Sequence, residues 1–202
     1  MTIAKIPAEK LTNKIAVKVI AIAASKGGIK ALEQILSELP ADFPGSIIVV
    51  QHLSALFKSH LAEILDRSTP LQVKQALEGA VLTSGQVYVA PPDSHVIVNH
   101  DHSISLSDAA KEHFVRPSAE YTFKSLAENY QKNAIAVVLT GYDGDGEEGV
   151  QKVKKMGGKV IAQDKDTSLV FGMPQSAIET GCVDLVLPLE RIADGIINMV
   201  NN

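Results

Sequence analysis

Apolar residues along this chain fall into two rhythms. Near-continuous runs at Val17–Ala23, Ser46–Gln51 and Ala134–Leu139 predict strands buried on both faces. Between them, three-and-four spacing predicts amphipathic helices. Ile29–Leu39 places Ile29, Leu32, Ile35, Leu36 and Leu39 on one face and ends at Pro40. Phe57–Leu65 does so with Phe57, Leu61, Ile64 and Leu65, and Ser118–Tyr130 turns Phe123, Leu126 and Ala127 inward. Gly149–Met156 reads as a helix stopped by Gly157-Gly158. Val160–Gln163 and Val183–Leu187 read as further strands, Pro174–Glu179 and Leu189–Met199 as helices. The middle differs: Leu71–Gln75, Gln86–Ala90, His95–Asn99 and Ser103–Leu106 are short, alternating and turn-separated, which predicts an antiparallel patch.

The alternation implies an α/β fold: a doubly wound, mostly parallel sheet with helices on both faces and a small antiparallel patch. Met1–Ala16, polar and lysine-rich, reads as a tail or linker, and a loosely attached first element fits equally well. Residues 17–202 then form one domain.

Composition narrows the function. Nineteen Lys and Arg against 23 Asp and Glu give a net charge of -4, no electrostatic footprint for a polyanion, so nucleic acid is not an expected partner. The single cysteine, Cys182, excludes a disulfide framework and a cysteine-rich metal site. No apolar run is long enough for a membrane span, and the N-terminus lacks a signal-peptide core, so a cytoplasmic location is expected.

In a parallel α/β sheet, functional groups collect beyond the carboxyl ends of the strands. Ala23-Ala24-Ser25-Lys26-Gly27-Gly28 follows the first run. Small residues around a serine permit a sharp strand-to-helix turn that lifts the hydroxyl clear of the sheet, and N–H groups at the helix start can hold an oxyanion. Simple helix capping by Ser25 explains the pattern as well. Gln51-His52 follows the second run, where an imidazole can reach the neighbouring loop or merely bond a carbonyl. His60, His95, His100, His102 and His113 show no coherent metal spacing and read as surface residues. After Leu139 comes Thr140-Gly141-Tyr142-Asp143-Gly144-Asp145-Gly146. Its spacing fails the calcium-loop pattern; one aspartate behind the histidine, or a helix cap, accounts for it better. Together these strand ends supply a nucleophile, a base and an orienting carboxylate.

Six motifs in order resemble the catalytic domain of the chemotaxis protein-glutamate methylesterase family (CheB-type). They are Ala23-Ala24-Ser25-x-Gly27-Gly28, Gln51-His52, Val89-Ala90-Pro91-Pro92-Asp93-x-His95, Arg116-Pro117-Ser118, Leu139-Thr140-Gly141-x-x-x-Asp145-Gly146 and Phe171-Gly172-Met173-Pro174. The resemblance runs from about Val17 to the C-terminus. It implies a serine hydrolase that removes methyl groups from glutamate γ-methyl esters on the cytoplasmic helices of chemoreceptors, with glutamine deamidation in some members and no metal or organic cofactor. Carried over, Ser25 is the nucleophile, His52 the base and Asp145 the orienting carboxylate. The Lys26 and Tyr142 N–H groups form the oxyanion hole. Gly27, Gly28, Thr140, Gly141, Phe171, Gly172, Met173 and Pro174 belong to the substrate cleft. Lys26 stands where the family has a small hydroxylic residue, Tyr142 where it has methionine, and Asp143-Gly144 where a glycine more often comes first. The family's usual receiver domain has no counterpart here, so control by phosphorylation in cis is not expected. A catalytically silent receptor- or partner-binding module and a small-molecule esterase are the competing readings.

Overall fold

The computed structural model describes residues 14–54, 59–142 and 144–202. In chain order its elements are β1 (Val19–Ala24), α1 (Gly28–Ser37), β2 (Ser46–Gln51), α2 (Leu61–Asp66), β3 (Gln72–Gln75), β4 (Gln86–Val89), β5 (His95–Val98) and β6 (Ile104–Ser107). Then come α3 (Ala119–Tyr130), β7 (Ala134–Val138), α4 (Glu147–Lys155), β8 (Lys159–Gln163), α5 (Gly172–Glu179), β9 (Leu185–Leu187) and α6 (Leu189–Asn201). Phe57, expected to open the second helix, lies outside the described residues, as does most of the expected N-terminal tail. Ile15 nevertheless bridges Thr83, and Ala16 is buried and donates its N–H to Leu82.

Seven strands form one parallel sheet in the order β3-β4-β2-β1-β7-β8-β9. The continuous apolar runs follow from burial on both faces. In β1, Ile20, Ile22 and Ala24 point into one core with α1, α2 and α6, while Val19, Ala21 and Ala23 point into the other with α3, α4 and α5. Alanines on the second face leave room for Phe123 and Leu126 of α3 to close over the sheet.

The expected antiparallel patch is half right. Of its four expected strands, β5 and β6 pair antiparallel, while β3 and β4 are the parallel edge of the main sheet. Their connection disguised this. Residues 76–85 cross over without a helix, pairing instead with β6 and its turn through Gly79 N–H to Ile104 O and Leu82 N–H to His102 O. A crossover made of extended chain has no helical period to read, and β3 alternates because it is a half-exposed edge.

Winding reverses between β1 and β7. From there the chain runs to β2 and β4 on one side and to β8 and β9 on the other. The crevice this opens at the strands' carboxyl ends is the expected place for a site.

Candidate active site

Register brings the candidate residues together. Ala24 pairs with Gln51, and Ala23 with Val138. The three strands therefore end level, and the next residues stay linked. His52 N–H donates to Ala24 O, Leu139 N–H to Ala23 O, and Ser25 N–H to Thr140 O, at 2.9–3.0 Å. Ser25 thus sits at the end of the central strand, between His52 and Thr140. Gln51 clamps the first two loops: its buried Nε2 donates to Ser25 O at 2.9 Å and to His52 O at 3.1 Å.

The turn after Ser25 is tight. Gly27 adopts φ 86°, a left-handed conformation that glycine accepts most readily. Gly28 then opens α1 and returns its N–H to Ser25 O at 3.0 Å. Among the described residues, neither the Lys26 nor the Tyr142 N–H donates to a protein acceptor. A cleft of about 610 Å³ lies in front, lined by Ser25, Lys26, Gly27, Ile29, Lys30, Gln51, His52, Leu53, Tyr142 and Leu169.

Behind the cleft, His52 Nε2 meets Asp145 Oδ2 at 2.8 Å. The carboxylate is buried and well bonded. It accepts from Ser118 Oγ at 2.5 Å, Ala119 N–H at 2.6 Å and Glu120 N–H at 3.4 Å, all at the N-terminus of α3. Burial pushes its pKa up, but the His52 contact and the Ser118 and Ala119 hydrogen bonds outweigh it and hold the carboxyl below its usual range. Asp145 is therefore an anion at neutral pH. Asp143 lies outside the described residues.

A second layer holds Ser118. Its N–H donates to His95 Nδ1 at 3.1 Å, and His95 Nε2–H donates to Ala110 O at 3.1 Å, which fixes the tautomer. The expectation of a surface His95 is corrected: the ring is fully buried. Burial depresses its pKa, the Ala110 bond opposes this, and the Arg116 guanidinium lowers it further. His95 is therefore neutral, as an acceptor from Ser118 N–H must be. Arg116 is itself bonded to Asp93 at 2.8 and 2.9 Å. The Asp93, His95, Arg116 and Ser118 motif residues are thus a scaffold for the carboxylate.

The other expected cleft residues divide. Thr140 is a buried link: its Oγ1 donates to Lys26 O at 2.8 Å and accepts from Val170 N–H at 2.9 Å. Gly141 packs against Ser25 and Met173, leaving no room for a side chain. Gly172 lies under the Tyr142 carbonyl, and Phe171 precedes α5. Gly28, Met173 and Pro174 are buried beneath the site and are not part of its wall. Ile29 departs from the expected inward face of its helix; it is 36% exposed and lines the cleft. Leu169 and Lys30 were not legible as wall residues, because a loop leucine and a helix lysine carry no pattern. Gln51 left a signal: a polar residue ending a wholly apolar strand.

Comparison with known proteins gives the family of the chain. The chain is 44% identical over 185 residues to the protein-glutamate methylesterase/protein-glutamine glutaminase of group 3 operon from Rhizobium meliloti, covering 92% of this chain and 52% of that protein. It is 42% identical over 186 residues to the protein-glutamate methylesterase/protein-glutamine glutaminase of Thermotoga maritima, covering 91% and 54%. The chain spans about half the length of the curated relatives it matches. The crystal structure of the Thermotoga maritima CheB methylesterase catalytic domain superposes with a TM-score of 0.87 at 42% identity, over 90% of this chain and 98% of that one. The family model described as CheB methylesterase matches residues 20–196, a span that takes in every strand end at the cleft, and the chain belongs to that family.

Proposed function

We propose that this chain is a protein-glutamate methylesterase whose nucleophile is Ser25. The reading rests on one observation above all: Ser25 and His52 share a cleft at level strand ends, with His52 Nε2 held by the ionised Asp145. Asp145 accepts the proton-bearing Nε2, so the basic nitrogen of His52 is Nδ1. Nδ1 takes the Ser25 hydroxyl proton as Oγ attacks the γ-carbonyl of a glutamyl methyl ester. The resulting oxyanion is held by the N–H groups of Lys26 and Tyr142. Collapse breaks the ester C–O bond, methanol leaves with the proton from His52, and a glutamyl-Ser25 ester remains. Water, deprotonated by His52, attacks that ester and releases the glutamate and Ser25.

The same steps on a glutamine side chain release ammonia, in line with the glutaminase activity in the relatives' names. The substrate is a methylated cytoplasmic helix of a chemoreceptor, and the working location is the cytoplasm. Among the described residues no helix is long and apolar enough to cross a membrane.

The test is methanol release from a helical peptide bearing one glutamyl γ-methyl ester, run beside fluorophosphonate labelling. Label on Ser25 with ester turnover supports the enzyme. Label without turnover of the glutamyl ester, but with turnover of small esters, transfers the reading to a small-molecule esterase. Neither label nor turnover leaves a binding module.

A further inference from the structure

The cleft is a cationic spot on an acidic protein. Its lining carries two basic side chains, Lys26 and Lys30, and among the described residues no carboxylate, while the chain as a whole has a net charge of -4. Both side chains are exposed, and among the described residues neither ammonium has an ion-pair or hydrogen-bond partner. Some lysines elsewhere are engaged, Lys124 with Glu148, Lys152 with Glu128, Lys154 and Lys159 with Asp184, while Lys111, Lys132, Lys155 and Lys165 are without a partner among the described residues; what sets Lys26 and Lys30 apart is their place in the wall beside Ser25. Helix stability does not explain the cleft pair. Lys30 lies in the first turn of α1, which has no acidic residue, and a cation there opposes the helix dipole. Around the two charges the wall is apolar, with Ile29, Leu169 and Tyr142 exposed at 36%, 68% and 70%.

We propose that Lys26 and Lys30 select the substrate by reading carboxylates one helical turn from the ester, on an amphipathic helix whose apolar side rests on Ile29, Tyr142 and Leu169. This rests on the esterase reading above and names what that site prefers. Side chains three or four residues apart on a helix are about 5–6 Å apart at their β-carbons. A helix that delivers its ester to Ser25 therefore brings its i±3 and i±4 side chains within reach of both lysines. Glutamates at those positions meet unpaired ammonium groups; glutamines do not.

The experiment uses two helical peptides with the same central glutamyl γ-methyl ester, one with Glu at i±4 and one with Gln. Initial-rate kcat/KM is measured between about 0.01 and 1 M salt, over which the screening length falls from about 30 to 3 Å. Two exposed charge pairs predict about a tenfold preference for the Glu peptide at low salt, lost at high salt. Lys30→Glu should abolish the preference, since its carboxylate repels what Lys26 attracts. Equal rates on both peptides, or a preference that survives Lys30→Glu, overturn the proposal and leave the esterase intact. So does an equal fall on both peptides in Lys30→Glu, which signals damage to the fold and no charge reading. Failure of the parent chain to cleave either peptide overturns the esterase reading and this proposal with it.

Discussion

Asp145 and Glu120 each hold the helix that the other introduces. Asp145, two residues before α4, accepts from the Ala119 and Glu120 N–H groups at the start of α3. Glu120, in the first turn of α3, accepts from Gly146, Glu148 and Gly149 N–H at 3.1, 2.9 and 2.7 Å at the start of α4. Each carboxylate meets the positive end of the opposite helix, so the Asp145 carboxylate and the loop that carries it are fixed from both directions. Burial raises the Glu120 pKa, with Lys124 and the Glu148 and Gly149 N–H groups opposing it.

Glu120→Ala leaves three buried or half-buried N–H groups without their acceptor, and is expected to cost about 3 kcal/mol. It should also lower kcat, because the loop that carries Asp145 loses its anchor. Glu120→Gln retains one acceptor oxygen and should lie between. Urea unfolding and steady-state kinetics on all three proteins test the order; an alanine variant with unchanged stability rules out the clasp.

Ser25→Ala should lower ester hydrolysis by about four to six orders of magnitude, the scale of nucleophile loss in serine hydrolases. Asp145→Asn should cost about 10⁴ through the wrong His52 tautomer. It should also lower Tm, since an amide nitrogen cannot accept from Ala119 or Ser118. A serine variant within tenfold of the parent would remove Ser25 from the mechanism.

His95 predicts an acid-sensitive fold. Its folded pKa lies below the ordinary value of 6.5, so above 6.5 both states are neutral and its contribution to stability is complete. As pH falls below 6.5, the unfolded chain binds the proton first, and stability declines until the folded pKa is passed. The slope from this group approaches about 1.4 kcal/mol per pH unit. His95→Asn, whose amide oxygen can still accept from Ser118 N–H, should be less stable at pH 8 yet flatter with pH by about one proton. Unfolding free energies from pH 5 to 8 measure this; parallel curves would show that His95 is not the responsive group.

Gly141 and Gly172 predict unequal damage. A methyl group at Gly141 would collide with Met173 Sδ, the flexible end of a side chain, and would also crowd Ser25. At Gly172 it would strike the Tyr142 carbonyl, which cannot move without displacing the N–H assigned to the oxyanion. Gly141→Ala should therefore lower Tm moderately and kcat in part through Ser25, while Gly172→Ala should lose most of kcat. Thermal melts with kcat for both variants decide it.

The sequence made some of this legible and hid the rest. Strands buried on both faces announce themselves, so β1, β2 and β7 and the residues after them could be found. Hydrogen-bonded supports could not, because Ser118, Glu120 and His95 act through partners 23 to 29 residues away that no local pattern marks. His95 reads as a surface residue because no metal spacing gives it a role; its strand is mostly buried, and its ring is held by Ser118 and Ala110 instead. The parallel pairing of β3 with β4 was hidden by a crossover that borrows its hydrogen bonds from the hairpin.

The level ends of β1, β2 and β7 also order events during synthesis. Ser25 and His52 leave the ribosome ahead of Asp145, which lies 93 residues beyond His52, and the strand that seats it must insert beside β1. Parallel pairing of this kind cannot form from a local hairpin, and contacts so distant in the chain form slowly. A nascent chain that has exposed its serine and its histidine still lacks the carboxylate that holds His52. On the proposed mechanism, hydrolysis would begin only once α4 has been made and has closed on Glu120, so ester turnover during translation would report completion of the sheet and not the appearance of the nucleophile.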